Sequence, residues 1–582
     1  MTNQAIAKIL KEMAGFYEMR DVPFKPRAYE KAALAIEDLD EQAEEIYEKQ
    51  GTKGLLGIPG VGRGIAEHIE ELLSSGRLKK YEQMRKKIPV DLVELASIAG
   101  VGPKTVKTLY QKLGIRTVTD LKKAAVKHKI RDLPGFGDKS ELQILAGLNF
   151  QTASSGRFTL GRVFPIVKDL VKRLKSGTVF EKLEVGGSFR RRQETVGDID
   201  VLGTSTEPAK AMNFFVRLKD VDTVLEHGET KSEIRLSNGL QVDLRIVKDA
   251  NWGAALQYFT GDKAHNVKLR KIAIAKGYKL SEYGLTPNRP PSRGGKRRGV
   301  IVDTEEKVYR ALDMDFIPPE LRTDTGEIEA AQTRRLPKLI EYGDVRGDLQ
   351  VQTNWTDGSN SIEELAEAAR KLGREYICIT DHTKALAMTG GLDERKLLRQ
   401  MKEIDKLNSK FRIQHSKFRI LKGAEVNILK YGNLDIREDV LDKLDIVGVS
   451  IHSHFKMSSA EMTGRIIAAL SRPCVDIFFH PTARLIGRRE PIQFDFPKVL
   501  RAAKRNNVAL EVNAHPERLD LHDTLIRQAV EAGVKLVIDT DAHSTKDLEF
   551  LHFGEAQARR GWATKEYVLN SRPVAELLKY FS

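Results

Sequence analysis

Asp198 and Asp200 stand two apart in Gly197-Asp198-Ile199-Asp200-Val201-Leu202, a run whose β-branched residues favour a strand. Side chains alternate along a strand, so both carboxylates would leave the same face. Adjacent carboxylates repel unless a cation lies between them, and hard oxygen ligands of this kind suit Mg²⁺ or Mn²⁺. A third acid, Asp243, sits in Leu240-Gln241-Val242-Asp243-Leu244-Arg245, a second strand-like run able to pair alongside and complete a two-ion site. Upstream lies Gly187-Ser188-Phe189-Arg190-Arg191-Arg192. Glycine at a strand end lets backbone N–H groups approach a triphosphate, with Arg191 as its counter-charge. Together these parts describe nucleotidyl transfer. An isolated Asp-x-Asp is more often a solvated pair on an edge strand, and the adjoining Gly-Ser-Phe-Arg-Arg is what favours a site.

Such a site needs its polymer held, and the first 150 residues offer a means. Ile6, Ile9, Leu10, Met13 and Phe16 recur at helical spacing in a stretch of about 50 residues that reads as helices. Then Gly57-Ile58-Pro59-Gly60-Val61-Gly62 is echoed by Ile98-Ala99-Gly100-Val101-Gly102-Pro103-Lys104 and by Leu133-Pro134-Gly135-Phe136-Gly137. A Gly-apolar-Gly turn that opens a helix points backbone N–H groups at a DNA phosphate, without reading bases. One copy would equally be a plain helix connection. Three copies imply a sequence-independent grip on duplex DNA.

The block around Asp198 resembles the palm of family X DNA polymerases, the group of DNA polymerase β. The resemblance continues through Tyr258-Phe259-Thr260-Gly261, Asn266, Arg270 and Ser281-Glu282-Tyr283-Gly284-Leu285. It implies two ions, Mg²⁺ or Mn²⁺, on Asp198, Asp200 and Asp243, and a nucleotide pocket that also takes in Gly187, Ser188, Arg191, Gly197 and Gly261. Tyr258 and Phe259 would line the sugar, Asn266 the minor-groove edge of the incoming base, and Arg270 the template side; otherwise Tyr258-Phe259 is an aromatic core pair. The three turns resemble helix-hairpin-helix motifs, with Gly60, Gly62, Gly100, Gly102, Lys104, Gly135 and Gly137 at the DNA backbone and Lys25 on a 5′ phosphate. His68 stands where the family's lyase lysine belongs. Imidazole forms no stable imine with a sugar aldehyde, so His68 is expected to be a surface or phosphate-contacting residue rather than a catalyst, and deoxyribose phosphate lyase activity is not expected.

Nine of the 13 histidines follow residue 380. They fall in short motifs at predicted strand ends separated by helical stretches such as 362–372 and 499–506, the arrangement by which a βα barrel builds a metal site. The order resembles the PHP (polymerase and histidinol phosphatase) domain, a distorted barrel that hydrolyses phosphoesters with up to three metals. The resemblance implies ligands at Asp357, His382, Glu425, His452, His480, Asp541 and His543, and Mn²⁺ or Zn²⁺ as the ion. The family's first motif, Asp-Leu-His-x-His-Thr, reads here Asp348-Leu349-Gln350-Val351-Gln352-Thr353. Glutamine is a weak neutral ligand and does not replace imidazole at such a site. Fewer than three ions and a weak or absent 3′→5′ exonuclease are therefore expected. His454, His515, His522 and His552 match no ligand position.

Composition sets the remaining bounds. The 582 residues exceed one core, and 96 Lys and Arg against 81 Asp and Glu give a formal charge of +15, which favours a polyanionic partner. No apolar run is long enough for a bilayer, and the amino terminus has no signal-peptide pattern, so a cytoplasmic monomer is expected. Cys378 and Cys474 read as free thiols. The expected architecture is a multidomain α+β polymerase followed by an α/β barrel of distorted (βα)7 type. Its parts are a helical DNA-binding domain (1–85), a fingers-like helical domain (86–155), a palm with a mixed sheet (156–257), a thumb (258–318), a linker (319–342) and the PHP domain (343–582). Residues 287–298 read as a basic loop that either touches DNA or is solvated, and 302–309 as the start of a thumb helix capped by Asp303 or Thr304. The expected function is DNA-directed synthesis across short gaps in DNA repair, including base excision repair, on duplexes with a 5′ phosphate and with dNTPs as substrates. The alternatives are an end-processing 3′→5′ exonuclease with an accessory polymerase part, and a non-enzymatic DNA-end scaffold.

Overall fold

The computed structural model describes the chain apart from residues 2, 38, 40, 97, 99, 100, 138, 139, 142, 143, 145–156, 178, 289–299, 414–416 and 582. Gly100 and most of the basic loop expected at 287–298 therefore lie outside the described residues.

The amino-terminal part is helical. Helix Asn3–Met19 buries Ile6, Leu10, Met13 and Phe16 against its neighbours, as their 3- and 4-residue spacing requires, while Ile9 packs at the core's margin. One apolar core runs from this helix through Arg63–Ser75 and Pro103–Leu113 to Ala125 and Ile130. The helices after the first two glycine turns begin at Arg63 and Pro103, with Gly62 and Gly102 as their N-caps.

The palm is a five-stranded mixed sheet in the order Lys182–Val185, Asp198–Thr204, Gln241–Ile246, Lys231–Leu236, Val221–His227. Asp198–Thr204 and Gln241–Ile246 run parallel; the other pairs are antiparallel. Ile199, Val201, Val242 and Leu244 are buried against helix Leu160–Ser176, so the alternate residues of both strands face away from this core. Helices Trp252–Thr260, Lys263–Ala275 and Glu305–Ala311 follow, with the hairpin Tyr278–Ser281/Gly284–Pro287. Thr304, rather than Asp303, caps Glu305–Ala311.

The linker reading of 319–342 is corrected. Pro319–Leu321 forms a 3-10 turn and Glu327–Gln332 a helix, and Leu321, Ile328, Ala331 and Leu339 belong to the thumb's apolar core. Arg322 is fully buried, paired with Glu305 at 2.5 Å. These apolar contacts are distant in sequence, which is why periodicity alone gave no sign of them.

Residues 347–539 supply seven parallel strands in sequential order, from Gly347–Val351 to Leu536–Asp539. The first approaches the last through an isolated parallel bridge Val351–Ala542 and the bond Gln352 N–H to Ala542 O, 2.8 Å, so the sheet nearly closes on itself. Every residue of each short strand from Ile446 onward is buried, as expected for a barrel lined inside and covered by helices outside.

Candidate active sites

In the palm, the parallel register sets Asp200 directly opposite Asp243, and Asp198 opposite Gln241. Period-2 alternation puts all three acids on the face away from the core, with Asp198 exposed and Asp200 and Asp243 half-buried. Burial and the charges of Asp198 and Asp243 push the Asp200 carboxyl up to about 7. Burial likewise raises Asp243, against a 3.0 Å hydrogen bond from Gln241. Acids held together against their own repulsion, with all oxygens hard donors, fit divalent cations.

The turn before them is fitted to this pair. Gly187 has φ +62°, and a Cβ there would lie 2.4 Å from Asp200 Oδ2, so only glycine lets the backbone sit beside that carboxylate. Gly186 N–H donates to Asp200 O at 2.7 Å. Arg190 pairs with Glu305 at 2.7 Å and donates to Thr260. Arg191 donates to Thr260 O, beside Gly261, and its burial lowers its pKa. Tyr258 and Phe259 meet edge to face at 5.2 Å, and the Arg245 guanidinium stands 5.0 Å from the Phe259 ring centroid. Asn266 donates to Tyr258 O and accepts from Gln257, and Arg270 donates to Asn266 O. Arg245 was missed in the sequence, although its place two residues after Asp243 puts it on the same face. The buried trio His265, Glu327 and Tyr309, bonded at 2.7 and 3.0 Å, carried no local signal.

At the barrel's mouth the seven expected ligands come from the ends of different strands and split into neighbourhoods. Ligand atoms of Asp357, His382 and His543 lie within 4.8 Å of one another, as do those of His382, Glu425 and His452. His480 Nε2 joins the second group, 2.8 Å from Glu425 Oε1. Asp357 Oδ1 is buried with no hydrogen-bond partner, an oxygen placed for a cation. Burial disfavours charged imidazole here, but Asp357 and Glu425 outweigh it and lift His382 to about 9; Asp357 and Asp541 lift His543 to about 10. Burial leaves His452 at about 4. Two positions of this centre therefore fit metal ions.

The third does not. Gln352 donates through Nε2 to Glu425 Oε2 at 2.8 Å, and Gln350 Oε1 accepts from Asn513 Nδ2 at 3.2 Å, so both side chains are taken up by protein partners. Gln352 thus presents N–H where a metal needs a lone pair, and Gln350 offers only a neutral amide oxygen in place of imidazole. Asp541, the seventh expected ligand, accepts from Asn513 at 3.2 Å and pairs with Arg518 at 3.1 Å. Neither Arg518 nor Asn513 was singled out in the sequence, since both reach Asp541 only through the pairing of Ala509–Asn513 with Leu536–Asp539.

The glycine turns face open space. A Cβ at Gly62, Gly102, Gly135 or Gly137 would meet nothing within 4 Å, whereas one at Gly60 (φ +80°) would meet Lys31. Lys104, beside the second turn, pairs with Asp21 at 2.7 Å. His68 receives or donates a 2.8 Å bond with Tyr29, and burial lowers its pKa; Lys25 lies over the Tyr17 ring.

Comparison with known proteins agrees with this layout. Residues 1–78 match a helix-hairpin-helix domain, 92–149 a SAM-like helix-hairpin-helix tandem, 255–323 the DNA polymerase beta thumb, and 348–515 the PHP domain. The "DNA polymerase/3'-5' exonuclease PolX" of Bacillus subtilis is 37% identical over 582 residues, 99% of either chain. DNA polymerase lambda of Arabidopsis thaliana is 26% identical over 348 residues, 55% of this chain and 62% of that one. The rat DNA polymerase lambda is 26% identical over 342 residues, 55% and 56% of the two chains.

Proposed function

The chain belongs to the family X DNA polymerases that carry a PHP domain, and we propose that it fills short gaps during DNA repair while its barrel has little or no 3′→5′ exonuclease activity. The observation that carries this reading is the register of Asp200 against Asp243 with Asp198 on the same face, beside a turn that only Gly187 can make. Asp198, Asp200 and Asp243 would hold two Mg²⁺ or Mn²⁺ ions. Ions bound there supply the charge that offsets the developing negative charge on the transferred phosphate. Asp243 takes the primer 3′-OH side, the Gly187-Ser188 amides and Arg191 orient the triphosphate of a dNTP, and Tyr258, Phe259, Gly261 and Asn266 bound the sugar and base. Arg270 faces the template.

The open glycine turns grip backbone on both sides of the gap, and Lys25 and His68 lie at the 5′ phosphate, without lyase chemistry. In the barrel, Mn²⁺ or Zn²⁺ would sit on Asp357, His382 and His543 and on Glu425, His452 and His480. The domain limits given from the sequence stand in this reading, except that 319–342 joins the thumb. The chain works as a cytoplasmic monomer; among the described residues no helix is long and apolar enough to cross a membrane. A second reading, metal-dependent end processing, is supported by the two intact ligand groups. The test is a labelled primer on a gapped duplex incubated with dNTPs. The native chain extends it and Asp243→Asn does not; extension by Asp243→Asn at the native rate overturns the assignment.

A further inference from the structure

The palm turn that handles the nucleotide is held from two sides. Its first half is tied to the thumb through Arg190 and Arg191. Its second half, Arg191 to Glu194, is tied to the barrel. Arg560 donates to Arg191 O at 3.1 Å. Arg484 grips both oxygens of the Glu194 carboxylate, Nη1 to Oε2 at 3.2 Å and Nη2 to Oε1, and Gln557 adds a 3.1 Å bond to Oε1. Arg484, Gln557 and Arg560 are all buried, and each is anchored within the barrel, Arg484 on Leu519 O, Gln557 on Leu521 O and Arg560 on Asp523.

Apolar contacts seal the same seam. Phe164 of the palm meets Phe553 at 5.2 Å and His552 at 4.7 Å, and Leu519 and Phe553 lie in the palm's own core. Gly161 abuts Pro516 so closely that a Cβ would come within 2.1 Å.

Arg484, Gln557 and Arg560 direct these hydrogen bonds out of the barrel to Glu194 and Arg191. All converge on a segment that ends four residues before Asp198. A buried guanidinium with a fork on one carboxylate is costly to desolvate and fixes geometry well, so its return lies in orientation rather than stability. We propose that Arg484, Gln557 and Arg560 are positioning residues for nucleotidyl transfer. They hold Arg191–Glu194, and through it Gly187-Ser188 and Asp198, in the arrangement that receives the triphosphate. The barrel is then a working part of the polymerase site whatever the state of its own metals. This rests on the polymerase reading given above.

The experiment is steady-state extension of a gapped duplex by the full chain, with the KM for dNTP, kcat and DNA affinity measured separately for native, Arg484→Met and Gln557→Leu. A displaced nucleotide turn lowers kcat/KM for dNTP by roughly ten- to a hundredfold in Arg484→Met, and less in Gln557→Leu. DNA affinity and barrel metal content stay at native values. If Arg484→Met does not fold, Gln557→Leu, which removes one hydrogen bond, decides alone. Native kcat/KM for dNTP in a folded variant overturns the proposal, as does a loss that appears in DNA affinity alone. Absence of extension by the native chain overturns the polymerase reading and this one with it.

Discussion

The palm gathers three carboxylates on one sheet face and the barrel gathers acids and imidazoles at strand ends, yet only the palm carries every group that the sequence led one to expect. In the palm, three carboxylates crowd together, and burial with their mutual repulsion pushes Asp200 up to about 7 even though Arg245 and Arg191 pull the other way. In the barrel, Gln352 donates an N–H group to Glu425, and Arg518 pairs with Asp541. One centre is left needing cations, whereas part of the other already satisfies its acids from within. A site that remains electrostatically unbalanced without its ligand is built to bind one; a balanced one is not.

The largest expected effect breaks the palm side. Changing Asp198, Asp200 or Asp243 to Asn lowers single-turnover extension by about 10³-fold while DNA affinity holds, because the lost group acts on the reacting phosphate and not on the duplex. Unequal roles would sharpen the picture, with Asp243→Asn expected to leave nucleotide binding closest to native. Next comes the barrel. Native mass spectrometry of the chain loaded with Mn²⁺ should count one more barrel ion in Gln350→His/Gln352→His than in the native chain. An unchanged count would place the block at Arg518 instead of the glutamines.

Smaller effects concern grip. Removing the 5′ phosphate from a gapped duplex should weaken binding by about tenfold, the worth of one charge-assisted hydrogen bond, and the affinity should fall steeply with salt. Equal affinity for a 5′-hydroxyl gap would count against Lys25 and His68. Borohydride should trap no more than a trace of covalent adduct on a 5′-deoxyribose phosphate.

The smallest is a pH effect. Asp200 titrates near 7 in the folded chain and at 3.8 ordinarily. Between those values the folded state keeps a proton that the unfolded state has released, so this group's contribution to stability falls as pH rises through the window. An ion bound to the carboxylate removes that penalty. Mg²⁺ should therefore raise the melting temperature more at about pH 8 than at about pH 5, and Asp200→Asn should erase the difference.

Much of this was legible in the sequence because it is local. Period 2 put Asp198 and Asp200 on one face, and Gly187 announced a close approach. Strand ends carried His382, Glu425, His452, His480 and His543. What stayed hidden depends on residues far apart in the chain: Arg322 sits beneath Glu305, Arg518 reaches Asp541, and Arg484 crosses from the barrel to Glu194. The segment 319–342 misled for the same reason, since its apolar residues find partners only in the folded thumb.

The contrast between the two centres is tested most directly on one end-labelled primer in a gapped duplex with Mn²⁺, incubated with and without dNTPs. The native chain should extend the primer with dNTPs, and without them shorten it at least about a hundredfold more slowly, with shortening gained in Gln350→His/Gln352→His. Shortening by the native chain as fast as its extension, abolished by His452→Ala, would contradict the account.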